Sequence, residues 1–154
     1  MYKKKIISVV VPAHNEQKLI QKMLQGLPHW IDHIFVIDDC SQDATSEKVI
    51  ERIAADPRIV LIRHEKNLGV GAAICTGYKA SLKSEVDIAV VMAGDAQMDP
   101  ADLENLIQPV AIEGVDYAKG NRIVKRSMYT RIISGGSTTM FATTQMSRIN
   151  IKSY

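Results

Sequence analysis

Five short polar clusters contain the residue types that could bind and transform a ligand. They occupy residues 12–16, 38–43, 64–69, 93–100 and 119–122. Two of these clusters hold the acids Asp38, Asp39 and Asp95, and the last one holds Arg122. Carboxylates accept N–H groups and bind hard divalent cations, whereas an arginine side chain pairs with anionic oxygens. A chain that needed only turns between its elements would not require acids in two clusters and a base in another.

Each polar cluster follows a short apolar run. The runs at 6–11, 34–37, 59–62 and 88–92 are almost continuously hydrophobic, which predicts parallel strands that are buried on both faces. A weaker strand is predicted at 117–119. Cys40 and Cys75 form no close pair, so the sequence indicates neither a zinc site nor a disulfide framework.

Amphipathic segments separate the strands. One helix is predicted over 16–27, and a second after Asp43, with Ser41 and Asp43 as its caps. A third begins near Gly69, and a fourth begins with Asp99 as cap and Pro100 at the first helical position. The alternation predicts an α/β fold with a doubly wound parallel sheet and right-handed crossovers. Because such sheets bind ligands outside the carboxyl ends of their strands, we expect the five clusters to converge on one crevice.

The motifs in these clusters resemble those of a known enzyme family. VVVPAHNE, VIDDCSQDAT, NLGVGAAICTGYK, VVMAGDAQMDP and KGNR occur in this order. Together they are similar to the nucleotide-binding half of family 2 glycosyltransferases, and most similar to the polyprenyl-phosphate branch that includes dolichyl-phosphate mannose synthases. The resemblance covers residues 5–122. It implies a Rossmann-like GT-A domain, in which helices flank a mostly parallel sheet that binds a UDP- or GDP-linked sugar.

The resemblance also implies roles for individual residues in donor binding. Asp39 would accept a hydrogen bond from the nucleotide base, although an acid at this place could instead cap the next helix. Backbone groups of Pro12 and Ala13 would contact the nucleotide. The implied nucleotide-binding set is Pro12, Ala13, Asn15, Glu16, Asp38, Asp39, Asn67, Gly69, Gly94 and Asp95.

A metal ion is implied at the fourth cluster. The polyprenyl-phosphate branch usually reads Asp-Ala-Asp-Leu-Gln here, and Asp95 and Gln97 match the residues that touch Mg²⁺ or Mn²⁺. Ala93 stands in place of the first acid. Asp95 and Arg122 are the implied catalytic residues, and Arg122 and Arg131 resemble basic residues near the acceptor. Each arginine is equally compatible with ordinary surface charge.

The charge distribution bears on the acceptor. Residues 1–116 hold all 17 acidic residues, whereas residues 117–154 hold seven basic residues and no acidic one. Such a basic segment fits a lipid phosphate or a membrane surface, and equally an ordinary solvated face. A phosphate acceptor is already ionised and needs no strong base, whereas a hydroxyl acceptor would need a carboxylate. We therefore expect transfer to a polyprenyl phosphate, with inversion, in lipid-linked glycan or cell-wall synthesis.

The expected organisation is a GT-A core at 1–122 and a basic, divergent segment at 123–154. Since catalytic family members extend further, we expect a truncated acceptor region and a chain that binds donor but transfers sugar poorly. The alternative is a non-catalytic nucleotide-sugar-binding module. The apolar run after the first lysines lacks a cleavage site, so a cytoplasmic protein at the inner face of the membrane is expected. No nucleic-acid partner is implied, and assembly into a homo-oligomer is left open.

Two unrelated functions fit less well. A sugar-phosphate nucleotidyltransferase would need a glycine-rich loop with arginine and lysine directly after the first strand, where residues 12–16 contain neither. A receiver domain would need a phosphorylated aspartate after a later strand and a lysine after the last one, and Lys119 fits that place loosely.

Overall fold

A computed structural model describes residues 1–120 and the backbone of residues 141–143, and within these it contains one six-stranded sheet. Its strands are β1 Ile7–Ala13, β2 His33–Asp38, β3 Ile59–Arg63, β4 Ile88–Val91, β5 Tyr117–Lys119 and β6 Phe141–Thr143. The spatial order is β3-β2-β1-β4-β6-β5. The predicted mostly parallel α/β sheet is therefore confirmed.

The first four strands form the parallel part of the sheet. β1 lies in its centre and pairs in parallel with β2 and β4, and β2 pairs in parallel with β3. β6 runs antiparallel between β4 and β5, so β5 does not pair directly with β4. The sequence did not predict β6, and this strand lies in the segment 123–154 that was set apart from the core.

Helices cover both faces of the sheet. They are α1 Ile20–Gly26, α2 Thr45–Ile53, α3 Val70–Lys83 and α4 Leu103–Ile112, the last preceded by a 3₁₀ turn at Pro100–Asp102. Alternate residues of β1 point to opposite sides, with Val9 and Val11 in the core under α1, α2 and α4, and Val10 in the core under α3. Along the described part of the chain, no helix is long and apolar enough to cross a membrane.

The close packing of α3 against β1 depends on Gly77. A β-carbon at this position would lie 2.1 Å from Val10 Cγ1, far inside van der Waals contact. The hydroxyl groups of Ser8 and Ser81 lie 2.8 Å apart in the same buried contact, and Ser81 also donates to the Gly77 carbonyl at 3.0 Å. The helix backbone therefore rests directly on β1.

Helix α1 begins at Ile20 and not at residue 16 as predicted. The amides of Asn15, Glu16 and Gln17 donate to side chains of the loop after β2 and of the first residue of α2. Their acceptors are Ser41 Oγ at 2.9 Å, Thr45 Oγ1 at 2.8 Å and Asp43 Oδ2 at 3.2 Å. These contacts hold the chain in an irregular loop, because a distant segment accepts from amides that would otherwise lie in the first turn of a helix.

The helix caps agree in part with the prediction. Asp99 accepts from the amide of Ala101 at 2.9 Å, with Pro100 next to it at the start of the turn, as predicted. Asp43 accepts from the amide of Thr45 at 3.0 Å, which supports the start of α2. Ser41 does not cap that helix, because its hydroxyl accepts from Asn15.

Candidate functional site

The loops that follow the four parallel strands meet at one edge of the sheet. Each of them contains one residue in the left-handed region, with φ of 57° at Asn15, 59° at Cys40, 87° at Gly69 and 53° at Ala96. Residues other than glycine adopt this conformation at some cost in energy, and they do so mainly where surrounding contacts impose it. Three of the four residues are not glycine, so contacts at this edge of the sheet hold the loops in their conformations.

Asp39 connects the loops after β2 and β3. Its Oδ1 accepts a hydrogen bond from His64 Nδ1 at 2.7 Å and from the amide of Leu68 at 2.9 Å, and its Oδ2 accepts from the amide of Gly69 at 2.7 Å. The side chain of Asp39 is 5% exposed. On its other ring nitrogen, His64 lies 3.0 Å from Thr76 Oγ1 on α3. The carboxylate therefore fixes the shape of the loop that leads into α3.

These donors keep Asp39 ionised. Burial raises the pKa of Asp39, but the hydrogen bonds from Leu68, His64 and Gly69 and the nearby His64 charge together outweigh it, so that the pKa lies below its usual value. A negative group thus sits at the sheet edge at neutral pH. The sequence pointed to Asp39 but not to His64 or Thr76, because only the folded chain brings these three residues together.

Asp38 is fully buried beneath this edge. Its carboxylate accepts from the amide of Ser41 at 2.9 Å and from the hydroxyl of Ser46, and Arg63 Nε lies 3.6 Å away. Both oxygens of Asp38 therefore hold the turn between β2 and α2. This arrangement matches the structural interpretation of the acidic pair for Asp38, whereas Asp39 lies nearer the edge.

The end of β1 links the loops on either side of it. Ala13 accepts from the amide of Asp39 at 2.9 Å, and Pro12 accepts from the amide of Gly94 at 3.3 Å. His14 donates from Nδ1 to the carbonyl of Asp39 at 2.9 Å, and the side-chain oxygen of Asn15 accepts from the amide of Gln42 at 2.8 Å. The clusters after β1, β2, β3 and β4 therefore do converge.

Two amides of the loop after β3, including that of Gly69 from the implied nucleotide-binding set, have partners within the chain. The amides of Leu68 and Gly69 donate to Asp39, so a contact between these amides and a ligand would require that they leave the carboxylate. Asn67 lies beside His14, with its side-chain nitrogen 3.4 Å from either ring nitrogen. An open pocket of about 510 Å³ borders this loop, and it is lined by Arg63, His64, Glu65, Lys66 and Leu68.

The loop after β4 brings Asp95 close to Glu16. Asp95 Oδ1 accepts from the amide of Gln97 at 3.0 Å, and Gln97 is exposed. A β-carbon at Gly94 would lie 3.6 Å from Glu16 Cγ. Burial raises the pKa of Glu16, and the negative charges of Asp95 and Asp43 raise it further, against an opposing effect of His14. The ionised form of Glu16 is thus disfavoured in the fold.

Replacing Glu16 with glutamine is expected to stabilise the protein at neutral pH. A carboxyl group with a raised pKa stabilises the fold while it is protonated, and that contribution is lost as the pH rises through the folded-state pKa. We expect Glu16→Gln to raise the Tm by about 1 to 3 °C at pH 7.5 in EDTA, with no gain at pH 4. Glu65→Gln, at an exposed site, is the control. A lower Tm of Glu16→Gln at pH 7.5 would contradict the conclusion that the ionised form of Glu16 is disfavoured in the fold.

The cluster after β5 and the two arginines cannot be placed in the same way. β5 ends at Lys119, close to the limit of the described residues, and Arg122 and Arg131 lie outside them. Along the part that is described, no group of three or more histidine, cysteine, aspartate or glutamate side chains could hold a metal ion by itself. The Asp95 and Gln97 oxygens would suit a hard cation that takes further ligands from a bound diphosphate.

Comparison with known proteins decides the family. The profile of glycosyl transferase family 2 matches residues 8–152, which is most of the chain. This protein belongs to glycosyl transferase family 2. The match extends beyond the core predicted at 1–122 and includes β6.

Two relatives of this family 2 protein have names that describe sugar transfer to a lipid phosphate. The chain is 33% identical over 133 residues to the UDP-N-acetylglucosamine–dolichyl-phosphate N-acetylglucosaminyltransferase of Methanococcus voltae, covering 77% of this chain and 53% of the relative. It is 33% identical over 144 residues to the dolichol-phosphate mannosyltransferase of Pyrococcus furiosus, covering 85% of this chain and 39% of the relative. The predicted resemblance to the polyprenyl-phosphate branch is confirmed. The chain spans about half or less of the length of these relatives.

A solved structure supports the fold. The mannosyltransferase PcManGT from Pyrobaculum calidifontis, in complex with GDP-Man and Mn²⁺, superposes with a TM-score of 0.64 at 22% identity. The superposition covers 73% of this chain and 34% of that one. The GT-A architecture predicted for the family 2 chain is therefore shared with a known mannosyltransferase.

Proposed function

We propose that this family 2 chain binds a nucleotide-diphosphate sugar at the carboxyl ends of β1 to β4 and forms the donor-binding part of a glycosyltransferase. The observation that carries the proposal is the position of Asp39 and Asp95. They follow β2 and β4, which both pair with β1, so the two strand axes lie about 10 Å apart at the same edge of the sheet. Placing one nucleotide across this edge sets its base at Asp39 and its diphosphate at Asp95.

Asp39 would recognise the base. Its carboxylate is ionised, nearly buried and rigidly held, and such an acceptor binds an N–H group more strongly than a neutral one does. Asn15, Glu16 and the backbone of Pro12 and Ala13 line the intervening edge. Since backbone contacts tie these residues to their neighbours, the chain holds them in place before a donor binds.

Asp95 and the side chain of Gln97 would hold Mg²⁺ or Mn²⁺ together with the diphosphate. A bound divalent cation neutralises the negative charge that develops on the leaving nucleoside diphosphate. Ala93 leaves the motif with one carboxylate fewer, and the nearby Glu16 adds negative charge to the same place. A site with few protein ligands would bind its ion tightly once the phosphates complete the ligand set.

The acceptor would be a polyprenyl phosphate. Its phosphate oxygen would attack the anomeric carbon from the face opposite the diphosphate, which inverts the configuration at that carbon. An ionised phosphate needs no general base, and the basic residues of 117–154, among them Arg122 and Arg131, would balance its charge. The names of the dolichyl-phosphate and dolichol-phosphate relatives support this class of acceptor. A lipid acceptor of this kind would place the chain at the inner face of the membrane.

Donor binding can be tested by thermal unfolding with UDP and GDP, with and without Mn²⁺. A ligand at about 100 times its Kd stabilises a fold by about 2.7 kcal/mol, so at least one nucleotide should raise the Tm clearly, and more so with Mn²⁺. Asp95→Asn should remove most of the extra gain from Mn²⁺ and weaken nucleotide binding at least about tenfold. Asp99→Asn, at the neighbouring helix cap, should leave both unchanged. A wild-type Tm that no nucleotide raises would refute the proposal.

Transfer is a separate question, because the chain spans about half or less of its relatives. Vesicles that contain polyprenyl phosphate, given with a labelled nucleotide sugar, should yield a labelled lipid if the chain is catalytic. Binding without labelled lipid would instead favour a non-catalytic nucleotide-sugar module. Labelling of a sugar alcohol in place of the lipid would contradict the phosphate acceptor.

A further inference from the structure

The acceptor capacity of Asp39 limits what it can bind. An ionised carboxylate offers about four acceptor positions on its two oxygens. Among the described residues, His64 and Leu68 occupy two positions on Oδ1, and Gly69 occupies one on Oδ2. Counting donors from the described part of the chain, one position on Oδ2 therefore remains. The 5% exposure of the side chain agrees with an approach by a single donor.

The three donors are not easily displaced. The amides of Leu68 and Gly69 belong to the backbone that enters α3, so moving them would disturb the start of that helix. The Gly69 amide is shared, since it also donates to Asn67 Oδ1 at 3.0 Å, and the bond to Asp39 is the shorter of the two at 2.7 Å. His64 is held on both sides, since its own amide donates to the carbonyl of Asp38 at 2.9 Å and its Nε2 lies 3.0 Å from Thr76 Oγ1. A base must therefore use the acceptor position that is left.

Nucleotide bases differ in the number of N–H groups that they present together. Uracil and thymine have a single ring N–H between two carbonyl groups. Guanine presents a ring N–H and an exocyclic amino group side by side, which together match both oxygens of a free carboxylate. At a carboxylate with one free position, guanine would leave an N–H group buried without a partner, and an unsatisfied buried donor weakens binding.

We propose that Asp39 selects a nucleoside diphosphate with an imide base, uracil or thymine, over guanine. This inference rests on the proposed donor site and gives it a substrate class. The preference arises from the loop after β3, which fills three acceptor positions and leaves the fourth for the imide N–H. A free carboxylate at this position would favour guanine instead.

Calorimetric titration of the full chain with UDP, dTDP and GDP in the presence of Mn²⁺ tests the inference. We expect UDP or dTDP to bind at least about tenfold more tightly than GDP, in line with one hydrogen bond to a charged group. The ratio of the UDP and dTDP affinities shows which of these two nucleotides is preferred; they differ in the methyl group of the base and in the 2′-hydroxyl of the sugar. UDP methylated at the ring nitrogen of uracil should bind about tenfold more weakly than UDP.

The outcomes separate the inference from the proposed function. If GDP binds as tightly as UDP and dTDP, or more tightly, the inference is wrong while nucleotide binding stands. If the methylated UDP binds as well as UDP, the ring N–H is not read and the inference is also wrong. If no nucleotide binds, the donor site itself is refuted.

Two variants of His64 test whether the number of free acceptor positions on Asp39 causes the preference for an imide base. His64→Asn keeps an N–H group near the position of Nδ1, so the preference for the imide base should persist. His64→Ala removes one donor from Oδ1 and frees a second acceptor position, so the affinity gap between UDP and GDP should narrow severalfold. A purely structural role for His64 would weaken both nucleotides equally, and that result would contradict the proposed cause.

Discussion

Replacing Gly77 with alanine is expected to destabilise the protein by about 3 kcal/mol, which corresponds to a fall in Tm of about 6 to 12 °C. The added β-carbon would lie 2.1 Å from Val10 Cγ1 and 2.9 Å from Val10 Cγ2, and the Val10 side chain is fully buried. Helix α3 would have to move off β1 and break the contact between Ser8 and Ser81. Urea unfolding followed by circular dichroism measures the effect.

A matched glycine on the same helix serves as the control for Gly77. A β-carbon at Gly71 would meet no atom within 4 Å, so Gly71→Ala should be neutral or stabilise by up to about 1 kcal/mol through helix propensity. Adding Val10→Ala to Gly77→Ala removes the clashing methyl groups. The double variant should therefore be about 2 kcal/mol more stable than the sum of the two single effects on the free energy of unfolding predicts. Strict additivity of the two changes would show that the clash is not the cause.

Strands β1, β2 and β4 could be predicted from the sequence because they are buried almost throughout. The prediction of burial on both faces is wrong for β3, which lies at the edge of the sheet with Val60 43% exposed. Parallel strands covered on both faces need apolar residues throughout, and the predicted runs agree with β1 to β4 to within about two residues at each end. β6 lacks that signal, because three residues in a serine- and threonine-rich stretch carry no pattern. Its place is fixed by pairing with β4 and β5, which are distant in sequence.

The site could be predicted in position but not in its connections. That polar clusters gather at the carboxyl ends of parallel strands follows from the topology alone. The partners of Asp39 lie 25 to 30 residues away, and nothing local in the sequence pairs His64 with an acid of an earlier loop. Non-local bonding also placed residues 16 and 17 in a loop where the local pattern predicted a helix, because Thr45 and Asp43 accept from their amides.

Asp39→Asn is expected to lower the free energy of unfolding by about 2 to 4 kcal/mol at pH 7. Asparagine offers one acceptor oxygen where the carboxylate offers two, so at least one of the three donors would face an N–H group inside a buried site. The loop after β3 should loosen, and hydrogen exchange at the amides of Leu68 and Gly69 should quicken. Exchange in the centre of β1 should rise only with the global loss of stability.

The effect of Asp39→Asn should depend on pH in a defined direction. A carboxylate with a lowered pKa stabilises the fold above its unfolded pKa of about 4, and this contribution is lost as the pH falls through its folded pKa. The stability gap between wild type and Asp39→Asn should therefore be full at pH 6 and shrink as the pH falls below about 4. Asp99→Asn, which keeps its capping bond to Ala101, should show little gap at any pH. A stability difference that stays constant down to pH 2 would mean that the charge of the Asp39 carboxylate does not hold the loop. The proposed recognition of the base by an ionised Asp39 would then be contradicted.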